Sequence, residues 1–99
     1  MIKSFSRKKL NNFFFKRLSL PKIKSIEKRL LIHLKVLHRE RSWQELKNFF
    51  GDDLERLTGN WKKWCSIRLN KQYRIIFQWS RDNHAHEVDL TKHYKKAVI

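Results

Sequence analysis

The residues Trp64-Cys65-Ser66-Ile67-Arg68-Leu69-Asn70-Lys71-Gln72-Tyr73-Arg74-Ile75-Ile76-Phe77-Gln78-Trp79 hold two arginines whose spacing suits phosphate chemistry. Two alternating apolar and polar runs meet at a polar turn, the pattern of a β-hairpin. Cys65, Ile67 and Leu69 point one way on the first arm, and Ser66, Arg68 and Asn70 the other. On the second arm Tyr73, Ile75, Phe77 and Trp79 are the apolar set, opposed by Arg74 and Gln78, with Ile76 between them. Directly opposite residues of an antiparallel pair share a face, so the apolar sets meet only if Leu69 pairs with Tyr73 and Ile67 with Ile75. That register sets Arg68 against Arg74. Like charges directly opposed cost stability, and two guanidinium groups held together suit an anion, with phosphate the natural candidate.

A last strand ending in Lys92-His93-Tyr94 would lie beside the middle strand if Trp79 to Ala85 reverses tightly. A histidine, a phenol, a lysine and two arginines would then share one concavity. Such a set suits phosphoryl transfer on RNA in which the ribose 2′-OH is the nucleophile and no metal or other cofactor is needed. Arginines stabilise charge growing on phosphorus, and a group of near-neutral pKa moves protons. Lys62 and Lys63 read as a basic loop at the rim of such a site, or as a solvated one. Trp61 and Trp64 could be platforms for single-stranded bases, since aromatics flanked by cations serve that purpose. Each has a plainer reading: Arg68 and Arg74 as surface arginines, His93 as an exposed bystander. His84 and His86 flank a turn and read as solvated. His33 and His38 are five apart, where helical metal ligands want three or four, and read as edge positions.

Composition agrees with a polyanionic partner. Ninety-nine residues make one domain, 1–99, with 24 Lys and Arg against 9 Asp and Glu, a net charge of +15 and a pI near 10.5. Self-repulsion of that size is relieved by nucleic acid, ribosome, anionic membrane or an acidic protein. Residues 1–41 carry 13 basic and 2 acidic side chains, residues 42–99 carry 11 and 7, so long-range attraction sits in the N-terminal part. A single cysteine, Cys65, excludes an internal disulfide and any cysteine-based zinc site, and its place in the apolar alternation predicts a core thiol in a reducing cytoplasm. No apolar run near 18 residues is present, and the N-terminus lacks an export-type apolar region, so neither export nor a membrane span is expected.

The elements that must position these residues follow from periodicity. Ile2 to Phe5 suits a short strand, and Ser6 would cap a helix reaching Leu18, with Leu10, Phe13, Phe14 and Leu18 inside and Phe15 outside. Pro21 starts a second helix to about Arg39, with Ile23, Ile26, Leu30, His33 or Leu34, and Leu37 on its inner stripe. Ser42-Trp43-Gln44-Glu45 is a capping box before a short third helix that Gly51 stops. Leu54 to Leu57 then reads as a strand, Thr58 to Lys63 as a loop, Arg81-Asp82-Asn83 as a turn, and Ala85 to Thr91 as the last strand, with Trp79 in the core. The prediction is an α+β domain: two to three N-terminal helices on one face of a three- to four-stranded antiparallel sheet, the other face partly open.

Leu57-Thr58-Gly59-Asn60 followed by the hairpin resembles the HigB-like, host-killing branch of the RelE toxins, which shows a leucine and glycine ahead of a WSIR-type strand and then N-x-Q-(W/Y)-R-I-x-F. Met1 to Phe5 also resembles that family's first strand. The element order extends the resemblance over nearly the whole chain, and the specific motifs cover about residues 54–94. It implies a RelE-like fold and the toxin of a type II toxin–antitoxin pair: an endoribonuclease that enters the ribosomal A site and cuts messenger RNA. By position, Arg74 matches the family's sheet arginine at the scissile phosphate and Arg68 the arginine of the preceding strand. Many members end the late strand in Asp-Tyr-His, where this chain has Lys92, His93 and Tyr94, so His93 and Tyr94 are alternatives for proton transfer. A lysine frequent before the family glycine is Thr58 here, with Arg56 and Lys62 as neighbouring cations.

The expected catalytic set is therefore Arg74, Arg68, His93 and Tyr94, with Lys62, Lys63, Arg56, Trp61, Trp64, Lys92, Lys95 and Lys96 on RNA. Expected partners are a helix-turn-helix antitoxin, the ribosome and mRNA, with operator DNA reached only through the antitoxin. A non-enzymatic RNA-binding module is the alternative, marked by steep salt dependence without cleavage. A peripheral membrane protein is a third reading, favoured only by basic charge beside the phenylalanines of the first helix.

Overall fold

The computed structural model describes all 99 residues. Helix α1 runs Lys8–Lys16, α2 Glu27–Arg39 and α3 Trp43–Phe50; the strands are β1 Leu54–Arg56, β2 Cys65–Arg68, β3 Tyr73–Trp79, β4 Ala85–Lys92 and β5 Lys95–Lys96. The strands form one antiparallel sheet in sequence order, five strands rather than the three or four expected. The helices bury their apolar stripe against one face of it, an α+β arrangement consistent with a RelE-like fold.

The hairpin register is as the alternation predicts: Ile67 opposes Ile75 and Arg68 opposes Arg74. Its turn is shaped by Asn70, whose side-chain oxygen accepts from the backbone N–H of both Gln72 and Tyr73 at 2.8 Å. That is the local bonding that makes Asn a turn residue. Leu54, Ile67, Ile75, Phe77 and Leu90 are fully buried on the helix-covered face, against Leu30, Leu34 and Leu37 of α2. The 30, 34, 37 spacing keeps those leucines on one stripe, each stabilising the fold by roughly 2 kcal/mol. Cys65 is buried and unpaired, and burial raises its thiol pKa.

The helix starts differ from expectation for local reasons. Ser6 does not cap α1, because its hydroxyl donates to the Glu87 carbonyl at 3.1 Å, and Arg7 takes the N-cap place. Arg17 turns left-handed at φ 57° and closes α1 early, which leaves Leu18 53% exposed instead of on the inner stripe. Pro21 to Ile26 is a 3-10 segment preceding α2, interrupted at Ile23 (φ −127°, ψ 33°). Ile23 and Ile26 still share a face, since residues three apart eclipse in a 3-10 turn. Ser42 caps α3 through Glu45 N–H at 3.1 Å, while the Glu45 carboxylate reaches Arg41 N–H, one residue before the expected return contact. Trp79 is half-buried, packed against the core rather than in it.

Residues 2–6 form no regular strand. They run parallel to the outer edge of β4 through two isolated bridges, Ile2 with Ala85 and Phe5 with Val88. Between them β4 bulges: Ile76 pairs with Asp89 but Gln78 with His86, so two residues, Glu87 and Val88, face one. Glu87 takes φ 53° at the bulge, and its N–H donates to Ser4 Oγ at 2.8 Å. His38 of α2 anchors the same segment, its Nδ1 accepting from Ile2 N–H at 3.0 Å. Burial lowers the His38 pKa, in keeping with a neutral acceptor.

Candidate functional site

The open sheet face carries one row that crosses four strands. Arg68 of β2 opposes Arg74 of β3, which opposes Thr91 of β4, which opposes Lys96 of β5. Residues directly opposite share a face, so three cations flank one hydroxyl along this row. Arg68 is exposed and Arg74 half-buried. Neither has an ion-pair partner, although Arg68 Nε donates to the Asn70 carbonyl at 3.2 Å. Two guanidiniums with no carboxylate paired to them are poised for an anion.

The floor is the adjacent row, Ser66, Ile76 and Asp89, all buried. Trp61, Trp64 and Tyr94 wall it. The Trp61 ring lies 6.3 Å from Trp64 and 5.8 Å from Tyr94, and Arg74 Cζ lies 5.3 Å from the Tyr94 ring centroid. Trp64 reaches this face because Cys65 after it points into the core. Trp61 reaches it from the turn Gly59–Trp61, where Gly59 takes φ 63°. The concavity between these walls measures about 490 Å³ and includes Thr91, Gln78 and Lys96 in its lining. That volume lies within the range of about 300–1,000 Å³ usual for small-ligand clefts.

Tyr94 comes to the wall by an unusual turn. His93 (φ 53°) and Tyr94 (φ 63°) are both left-handed, making a two-residue hairpin between Lys92 and Lys95. Positive φ at both centres is the type I′ pattern that asparagine and glycine normally fill. For other residues each left-handed φ costs about 1–2 kcal/mol.

The expected site residues separate into three groups. Tyr94, Trp61, Trp64 and Lys96 line the concavity, while Arg68 and Arg74 lie on the same sheet face outside its lining, Arg74 against the Tyr94 ring. Lys62 and Lys63 are exposed on the Trp61 loop, outside the lining. The rest lie elsewhere. Arg56 pairs with Cys65 and so takes the helix-covered side of the sheet, its guanidinium 3.9 Å over the Trp43 ring. Lys92 pairs with Tyr73 and packs its ammonium 5.8 Å from that ring, and Lys95 is its exposed hairpin partner. His93 is exposed, holds the turn by its backbone N–H to the Gln72 carbonyl at 3.0 Å, and does not line the concavity.

Sequence reading missed Thr91, Asp89 and Gln78 as parts of the site, and Arg7, which donates from Nε to the Asp89 carboxylate at 2.8 Å. The signal was present for three of them: Gln78 shares the polar side of its strand with Arg74, and Asp89 and Thr91 alternate with Leu90 in the same period-two pattern. Arg7 carried none, since its contacts lie 82 residues or more away. No group of three or more His, Cys, Asp or Glu side chains converges as a metal site.

Toxin HigB-1 of Vibrio cholerae serotype O1 is 49% identical to this chain over 55 residues, 56% of this chain and 58% of that protein. The matched region thus spans less than two thirds of that relative. A family model for the RelE-like toxin HigB of type II toxin–antitoxin systems matches residues 3–93, nearly the whole length. With its sheet, hairpin motif and open basic face, the chain belongs to the HigB-like toxins, RelE-like toxins of type II toxin–antitoxin systems.

Proposed function

We propose that this toxin is a ribosome-dependent endoribonuclease that cuts messenger RNA by attack of a ribose 2′-OH on the adjacent phosphorus. The P–O5′ bond breaks, leaving a 2′,3′-cyclic phosphate and a 5′-hydroxyl. The observation that carries the reading is the row Arg68–Arg74–Thr91–Lys96 with Tyr94 held over Arg74. Arg74 and Arg68 hold the non-bridging oxygens, where charge grows as the phosphorus becomes five-coordinate. Trp61 and Trp64 stack the flanking bases. We assign proton transfer to Tyr94, whose ring lies 5.3 Å from Arg74 Cζ, rather than to the exposed His93.

A toxin of this class has an antitoxin partner. We assign that partner the helix-turn-helix type and give it the contact with operator DNA. The ribosome supplies the positioned mRNA, which places the reaction in the cytoplasm. No helix is long and apolar enough to cross a membrane.

The position of His93 favours one second reading. With that imidazole outside the concavity, the same face could bind RNA backbone without cutting it. One assay decides: mRNA on programmed ribosomes, treated with the wild-type chain or Arg74→Ala at matched folding, with free RNA as control. Ribosome-dependent cuts that fall about 10²–10³-fold in Arg74→Ala are the expected result, the usual loss for removing one charge-stabilising donor. Binding with steep salt dependence and no cuts would establish the binding module instead.

A further inference from the structure

We propose that Arg7 is the positioning residue of this site, a clamp that holds the strained β4–β5 turn shut and thereby sets Tyr94 over Arg74. Its guanidinium has three anchors. Nε donates to Asp89 Oδ1 at 2.8 Å, with Nη2 also 2.8 Å from that oxygen. Nη2 donates to the Leu90 carbonyl at 3.0 Å, and Nη1 to the Ala97 carbonyl at 2.6 Å. Leu90 lies on β4 and Ala97 directly follows β5, so a single planar fork crosses the two strands just past the point where their pairing ends.

The turn needs such a clamp. A two-residue hairpin with left-handed His93 and Tyr94 persists only where its surroundings over-determine it. The β4–β5 ladder is two residue pairs long. Beyond it, the second arm is fastened by the Ala97 N–H bond to the Leu90 carbonyl at 3.0 Å, by the Arg7 bonds and by burial of Ala97 and Ile99 in the core. Arg7 also acts on charge. Asp89 is 2% exposed on the floor of the concavity, and unpaired it would repel a phosphate and draw Arg74 inward. The Arg7 pairing neutralises it and leaves the Arg68 and Arg74 charges free for RNA.

The role assigned to Tyr94 rests on the proposed cleavage; the clamp itself does not. The test therefore reads both, using Arg7→Lys in the full chain. This variant keeps a positive charge beside Asp89 but lacks the planar fork. In NMR, the Trp61–Tyr94 ring cross-relaxation should disappear and Ala97 amide exchange should accelerate at least about tenfold, while Ile75 and Phe77 amides stay protected. In single-turnover cleavage at saturating mRNA on ribosomes, the rate should fall about ten- to hundredfold without loss of affinity. In a Tyr94→Ala background, Arg7→Lys should have no further effect. Retained ring contact and Ala97 protection would overturn the clamp, as would an equal fall of rate in both backgrounds. If Arg7→Lys does not fold, the Arg7→Gln/Asp89→Asn pair, which leaves no buried charge, gives the same readings. A wild-type chain that cuts nothing would defeat the proposed reaction, and the NMR result would still decide the clamp.

Discussion

In the proposed reaction Arg74 supplies a fixed charge and Tyr94 a phenol, and the two can be separated. The Tyr94 ring lies 5.3 Å from Arg74 Cζ and 5.8 Å from the Trp61 ring, so the side chain packs, orients and carries a hydroxyl at once. Tyr94→Phe keeps the packing and removes the hydroxyl; Tyr94→Ala removes both. If the phenol transfers a proton, Tyr94→Phe should lose about 10²–10⁴-fold in single-turnover rate with RNA affinity unchanged. Tyr94→Ala should lose the same and weaken binding besides. A Tyr94→Phe variant that cuts at the wild-type rate would reduce Tyr94 to a packing and stacking residue. Of these groups, Arg68 and Arg74 are legible in the sequence because strand periodicity is two and the apolar residues fix the register. The same periodicity places Arg56 beside Leu54 on the buried side. Motif position points Arg56 toward the RNA instead, and parity is the stronger guide.

At the scale of elements, the hairpin and the capped third helix are readable because their turn and cap residues announce them: Asn70 at the turn, Ser42 and Gly51 at the helix ends. The β4–β5 hairpin is invisible for the converse reason. No glycine or asparagine marks its left-handed centres, and tertiary contacts impose the conformation. The N-terminal segment has the composition of a strand, but the Glu87 bulge breaks its pairing into two bridges. Strain at the hidden turn gives a test of its geometry and of His93 together. His93→Gly relieves one left-handed φ and should stabilise the fold by about 1 kcal/mol, raising Tm by about 4–8 °C for a domain of this size. Because the exposed His93 holds the turn through its backbone N–H to the Gln72 carbonyl, which glycine keeps, cleavage should survive the change. A stabilised variant without activity would return the proton-transfer role to His93.

The whole molecule separates attraction from chemistry. The excess charge lies mostly in residues 1–41, where the exposed Lys8, Lys9, Lys16, Lys22, Lys24 and Lys28 face only Glu27 and Glu40 as acidic residues in that stretch. Both are engaged: Glu27 accepts from the Ser19 hydroxyl and the Leu20 N–H, and Glu40 pairs with Arg39. The row proposed to face phosphate, Arg68–Arg74–Thr91–Lys96, belongs instead to the sheet face the helices leave open. Charges on these two surfaces should therefore fail in different ways. Replacing Lys8, Lys9 and Lys16 with Gln removes three exposed charges of α1, none of them in the row that holds Arg74. It should weaken RNA or ribosome binding and flatten the salt dependence by up to about 0.7 in log–log slope for each phosphate no longer neutralised. The cleavage rate of the bound complex should stay at the wild-type value. Arg74→Ala should do the reverse, collapsing the rate while changing the salt slope by no more than about one phosphate's worth. If the triple variant also lowered the rate at saturation, the helical charges would be part of how RNA is oriented for cutting, and attraction and chemistry would share one surface around the molecule.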